Sequence, residues 1–198
     1  HLKCISKWGT GIDSIDSTYC AQKGIEVCRT PNAFSEPVAD TVIGYILCFA
    51  RKLPWMDRAM KGGEWKKIPS HKLGESTLGV VGVGDVGKAV VRRALPFGMK
   101  VLGNDIRTVS SGFVAETGIE MVSFAELLER SDYVSVNTDL NETSHHLFDE
   151  AAFAGMKAGA VLINTARGPI VKESALISAL ESGQVGGAGL DVFEHEPL

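Results

Sequence analysis

The chain has 198 residues, 44% of them hydrophobic and 22% charged, a balance close to that of globular proteins and unlike disordered, fibrous or coiled-coil sequences. A chain of this length buries roughly 70% of the surface its unfolded form exposes, so its core needs no disulfide or metal. Twenty Lys+Arg against 24 Asp+Glu give a net charge of −4, and no run of Lys or Arg exceeds two, which argues against nucleic acid as a partner.

In chain order, Leu2 to Ser6 reads as a strand, followed by a turn at Gly9 to Gly11, a helix, and a strand from Ile25 to Cys28. Asn32 to Lys52 predicts a long helix, with Pro37 at a permissive early position. Its middle, Val42 to Phe49, is apolar nearly all round, which predicts burial on several sides, between domains or subunits. The longest nearly apolar stretch, Val42 to Ala50, is too short to span a bilayer. Lys61 to Ser76 is polar, with Gly and Pro, and reads as a connector.

From Thr77 onward, strands alternate with helices. The strands are Thr77 to Val81, Lys100 to Gly103, Tyr133 to Val136, Val161 to Asn164 and Val185 to Leu190. The helices are Gly84 to Phe97, stopped by Gly98; Ser123 to Arg130, opened by a capping box of Ser123 and Glu126; and Lys172 to Ser182, stopped by Gly183. This alternation predicts the α/β class, a doubly wound parallel sheet with helices on both faces. Cys4, Cys20, Cys28 and Cys48 form no Cys-x-x-Cys pair. They are expected to be small apolar residues in a reducing cytoplasm, with no metal site. The first residues show no signal-peptide pattern, which adds to the cytoplasmic expectation.

Three motifs carry chemistry. Gly82-x-Gly84-x-x-Gly87 follows a strand and opens a helix, and Asp105 ends the next strand 18 residues on. Gly82 suits a tight turn, Gly84 a close approach of pyrophosphate to the backbone, and Gly87 close packing of helix on strand. Free N–H groups at the helix start favour a phosphate, and a carboxylate at Asp105 suits a ribose. Asp85 sets a negative charge beside that phosphate and must either point to solvent or weaken binding. Arg167, in Asn164-Thr165-Ala166-Arg167-Gly168, lies just past a buried strand, where its planar fork suits a carboxylate or keto acid. Leu190-Asp191-Val192-Phe193-Glu194-His195-Glu196-Pro197 ends the last strand in an acidic loop.

Together with Gly9-Thr10-Gly11-Ile12-Asp13-Ser14-Ile15-Asp16 and Val38-Ala39-Asp40, these motifs resemble the D-isomer-specific 2-hydroxyacid dehydrogenases along essentially the whole chain. The resemblance implies a Rossmann-like NAD-binding domain, residues 32–198, with a remnant of a flavodoxin-like substrate domain, residues 1–31. It implies NAD held by Gly82, Gly84, Asp85, Val86, Gly87, Asp105, Thr138, Thr165, Ala166 and Asp191. Gly9, Thr10, Gly11 and Arg167 would bind a 2-hydroxy or 2-keto acid, and Arg167 and Glu196 would be catalytic, Glu196 by orienting a histidine. The family's histidine lies past Leu198, so His195 and the His145-His146 pair are expected to be solvent-facing loop residues, and these 198 residues alone are expected to be inactive. Thr138-Asp139 and Asp40 depart from the family's usual residues. Oxidation of D-3-phosphoglycerate is the activity the resemblance favours. Glyoxylate or hydroxypyruvate reduction, and a non-catalytic dinucleotide sensor, are the alternatives. The resemblance also implies a homodimer formed through the helix 38–52.

Overall fold

In the computed structural model, which describes residues 1–198, the chain forms two parallel sheets. The smaller pairs β1 (Cys4–Lys7) with β2 (Glu26–Arg29) across α1 (Ser17–Gln22). The Asp16 side chain caps α1 by accepting from the Tyr19 N–H at 2.8 Å. The chain then runs through α2 (Ser35–Arg51) and α3 (Leu53–Lys61) into the larger sheet.

That sheet holds β3 (Thr77–Val81), β4 (Lys100–Asn104), β5 (Glu120–Met121), β6 (Tyr133–Val136), β7 (Ala160–Asn164) and β8 (Val185–Leu190), in the order β5-β4-β3-β6-β7-β8. All neighbours are parallel. Crossovers run through α4 (Asp85–Ala94), α5 (Ser111–Thr117), α6 (Phe124–Arg130), α7 (Glu150–Gly155) and α8 (Glu173–Glu181). Alternation along β7 explains the two layers. Val161 and Ile163 join a core with α2 and α4, whereas Ala160 and Leu162 join one with α6, α7 and α8. The strand order reverses between β3 and β6, so the loop leaving β3 opens at a topological switch point, where such sheets bind ligands.

The apolar helix differs from expectation in what covers it. Val42, Ile43, Ile46 and Ala50 are buried within this chain, where α2 packs on α4. Tyr45 and Phe49 lie over Gly189 and Gly187 of β8, where a Cβ would collide with their rings. Arg93 of α4 binds both Glu36 and Asp40 of α2, locking the two helices in register. Three helices were not legible. α3 follows a left-handed turn at Lys52 (φ 56°), in the stretch between the predicted long helix and the connector, and α5 and α7 are too short to show periodicity. The cysteines also differ. Cys20 is buried, but Cys4 and Cys28 are exposed on one face of the small sheet, with their sulfurs 3.7 Å apart.

Candidate active site

Five strand ends converge on the carboxyl edge of the larger sheet. β3 leads into Gly82, whose φ of 87° turns the chain sharply, and Gly84 caps α4 with no side chain over its end. A Cβ at Gly87 would run into the Gly82 carbonyl oxygen, so helix and loop touch backbone to backbone there. A Cβ at Gly82 would lie 2.8 Å from the Thr138 nitrogen, which places the start of the loop after β6 against the glycine turn. At Gly84, by contrast, the nearest atom is an Arg107 nitrogen at 3.8 Å. The space over the first turn of α4 is open, and its N–H groups have no intrahelical partners. Asp85 is exposed and points to solvent, and Val86 packs against the core.

Asp105, directly after β4, has a side chain only 7% exposed. Its carboxylate accepts from the Val83 N–H and the Arg107 N–H, each at 2.8 Å, so it braces the glycine loop. Two acceptor positions remain for a ligand's hydroxyls. Beside it a cleft of about 610 Å³ is flanked by Arg107, Thr108, Met121 and Ser123.

After β7, the buried Asn164 shapes the turn. Its side chain accepts from the Ala166 N–H at 3.0 Å and donates to the Arg167 carbonyl at 2.9 Å. The Thr165 hydroxyl is shielded from solvent with no partner. Arg167 is the side chain that joins the two sheets. Its guanidinium bonds the Asp13 carboxylate and the Ala166 carbonyl, and a Cβ at Gly11 would run into its Nη2 atom. The Gly9–Gly11 turn and Arg167, far apart in sequence, are therefore neighbours.

The last loop behaves differently. Asp191 is exposed beside β7's end, its N–H donating to the Asn164 carbonyl at 3.0 Å. Its charge, together with burial as the larger effect, pushes the Tyr45 phenol up. Glu196 accepts from the Phe193 N–H at 2.9 Å, closing its own loop, and makes no hydrogen bond to Arg167 or to a histidine. His195 is exposed. His146 departs from the expected solvent-facing position: half-buried at φ 52°, it meets Glu194 at 2.6 Å, and Glu194 also accepts from the Glu173 N–H. Desolvation raises the Glu194 carboxyl, but the Glu173 N–H and His146 outweigh it and hold it below its ordinary value. Asp13 and Asn164 lie inside motifs read for other residues. Adjacency to Gly11 and to Arg167 was the only signal for them.

The residues fit a dinucleotide. Open space over Gly84, uncapped amides and the unpartnered Thr165 hydroxyl are what a pyrophosphate and a polar ring substituent require. Residues 43–198 match the family described as D-isomer specific 2-hydroxyacid dehydrogenase, NAD binding domain. The chain belongs to that family, and this part of it is the NAD-binding domain. A glyoxylate reductase from Korarchaeum cryptofilum is 40% identical over the whole chain, and the human D-3-phosphoglycerate dehydrogenase is 39% identical over 99% of it. A D-lactate dehydrogenase from Aquifex aeolicus, solved with NAD and lactic acid, superposes with a TM-score of 0.92 at 37% identity, covering 98% of this chain and 59% of that one. The chain spans 61% of the Korarchaeum protein and 37% of the human one.

Proposed function

We propose that these residues belong to an NAD-dependent dehydrogenase that interconverts a D-2-hydroxy acid and its 2-keto acid. The observation that carries the reading is the seating of Arg167 against the Gly9–Gly11 turn, at the same sheet edge as the glycine loop. A dinucleotide sensor has no use for an arginine held there. NAD, when bound, supplies the hydride acceptor. Gly82, Gly84 and Gly87 and the amides of α4 hold its phosphates, with Asp85 turned away and Val86 supporting the helix. Asp105 takes the adenosine ribose, and the cleft beside Arg107 takes the adenine. Thr138, Thr165, Ala166 and Asp191 surround the nicotinamide end. Arg167 and the amides of Gly9, Thr10 and Gly11 grip the acid, and Arg167 polarises the keto oxygen. Glu196 would leave its own loop to orient a histidine that moves the proton near neutral pH.

Similar identities of 40% to a glyoxylate reductase and 39% to a D-3-phosphoglycerate dehydrogenase support small 2-hydroxy acids as the substrate class. We place the boundary between the substrate-side segment and the NAD-binding domain at residues 31 and 32, between β2 and α2. A cytoplasmic homodimer accords with the free thiols and with the apolar surface around α2 and α3.

Calorimetric titration tests the reading. The 198 residues alone bind NAD saturably but form no NADH from D-2-hydroxy acids, because loss of an acid–base group alone costs about 10²–10⁴-fold. In a chain extended by the family's remaining segments, Arg167→Ala abolishes turnover and leaves NAD affinity within about twofold. Equal NAD affinity after loss of the glycine loop would refute the site.

A further inference from the structure

We propose that Asp13 is a positioning residue for Arg167, fixing one edge of the guanidinium so that the other faces the carboxylate and keto oxygens of a 2-keto acid. The inference rests on the reading of Arg167 given above. Arginine carries five N–H donors in a fixed fork. The Nε donor is shared between the Asp13 oxygens at 3.2 and 3.1 Å, one Nη2 donor reaches Asp13 Oδ1 at 3.0 Å, and one Nη1 donor reaches the Ala166 carbonyl at 2.6 Å. Three are engaged. The remaining two sit one on each terminal nitrogen, the pair that grips a planar acid bidentately.

The need for an anchor follows from exposure. The Arg167 side chain is 38% exposed and Asp13 45%, so an unanchored arginine would sample many rotamers and lose that freedom on binding. Gly11 completes the seat, since any side chain there would displace the Nη2 atom. The hydrogen bond from Arg167 holds the Asp13 carboxyl below its ordinary value despite partial burial, with Lys7 adding to the effect, so Asp13 is charged at neutral pH.

A competing effect has the opposite sign. Asp13 is an anion near the position of an anionic ligand, and repulsion across the guanidinium weakens binding. Two variants separate the effects. Asp13→Asn and Asp13→Ala remove the charge equally, but Asn keeps one acceptor oxygen for Arg167 and Ala keeps none. The probe is oxamate, a monoanionic 2-keto-acid isostere, titrated into the NADH-saturated chain. The second readout is the ¹⁵N–¹H resonance of the Arg167 side-chain Nε, assigned by its loss in Arg167→Ala, with dispersed amide spectra as the control for folding. Positioning predicts a downfield, slowly exchanging Nε–H in the native chain that moves into the bulk arginine envelope in Asp13→Ala. It also predicts oxamate affinity falling in the order native, Asn, Ala, by about three- to tenfold in total. An unchanged Nε–H resonance in Asp13→Ala, or affinity that rises equally in both variants, overturns the proposal. If Arg167→Ala binds oxamate as well as the native chain does, the failure is instead that of Arg167 as the substrate-gripping residue.

Discussion

At the scale of single residues, the glycines of the first motif have separable duties. A Cβ at Gly87 meets backbone, the Gly82 carbonyl, which cannot swing aside. A Cβ at Gly84 meets nothing closer than 3.8 Å, and it projects into the space a pyrophosphate would fill. Gly87→Ala is therefore expected to lower the unfolding free energy by about 1–3 kcal/mol, the usual cost of overpacking. Gly84→Ala is expected to keep the melting temperature and weaken NAD by about tenfold or more. Thermal unfolding and calorimetry on the same two variants decide it, and a Gly84→Ala chain with native NAD affinity would contradict the open-cradle account. Asp105 makes a further claim. Its nearly buried carboxylate disfavours a 2′-phosphate, so NAD is expected to bind about one to three decades more tightly than NADP, with the exposed Arg107 narrowing the gap. The glycine spacing, read with a strand before it and a helix after it, marked these positions in the sequence, because all of them lie within one β3–α4–β4 unit. The Asp13–Arg167 pair was not legible: its partners are 154 residues apart and meet only when the two sheets come together.

Among the elements, those with strong periodicity or firm stops were readable. α2 was visible through its apolar middle, α4 through its stop at Gly98, and the buried strands through short apolar stretches between turn residues. β5 has only two residues and is held largely from outside. Glu120 on it bonds Arg130 of α6 through two oxygens at 2.9 Å, and Lys100 of β4 lies 3.1 Å away. Those hydrogen bonds, Arg130 first and Lys100 second, pull the Glu120 carboxyl down to about 2 from an ordinary 4.5. A depressed carboxyl stabilises the fold above its unfolded value, and that contribution is lost as pH falls through the folded one. Stability is therefore expected to decline between about pH 4.5 and pH 2, and Glu120→Gln to flatten that limb while lowering stability at neutral pH. Because Glu120 is at the surface, screening limits the size of the effect, and salt should reduce it. Urea melts at pH 3 and pH 7 for both chains measure it. Equal acid sensitivity in the two would assign the decline to other carboxylates.

For the molecule as a whole, the expectation that survives least altered is the doubly wound sheet, because alternating strands and helices admit few other parallel arrangements. What the amino-acid order could not tell was whether the apolar helix meets its own sheet or another chain. Most of the apolar face of α2 is used internally, against α4 and β8, and the surface left uncovered lies further along. Leu53 and Trp55 on α3 are 47% and 41% exposed, Met60 55%, and Trp65 just beyond 83%. Several large exposed apolar side chains on and beside one helix mark an interface or an aggregation hazard, and a two-fold axis lets such a surface cover its own copy. The homodimer is thus expected to use α3 and Trp65 beside the outer face of α2. Sedimentation velocity at tens of micromolar should show a two-chain species, and Trp55→Glu with Met60→Glu should convert it to monomer. Trp8 supplies the control. It is 82% exposed but sits beside the small sheet, its ring tilted against Phe34 with centroids 5.5 Å apart, so Trp8→Ser should leave the dimer intact. A native chain that sediments as a soluble monomer at those concentrations would remove the dimer from the reading. A dimer that dissociates with Trp8→Ser and not with the α3 variants would move its axis to the substrate side.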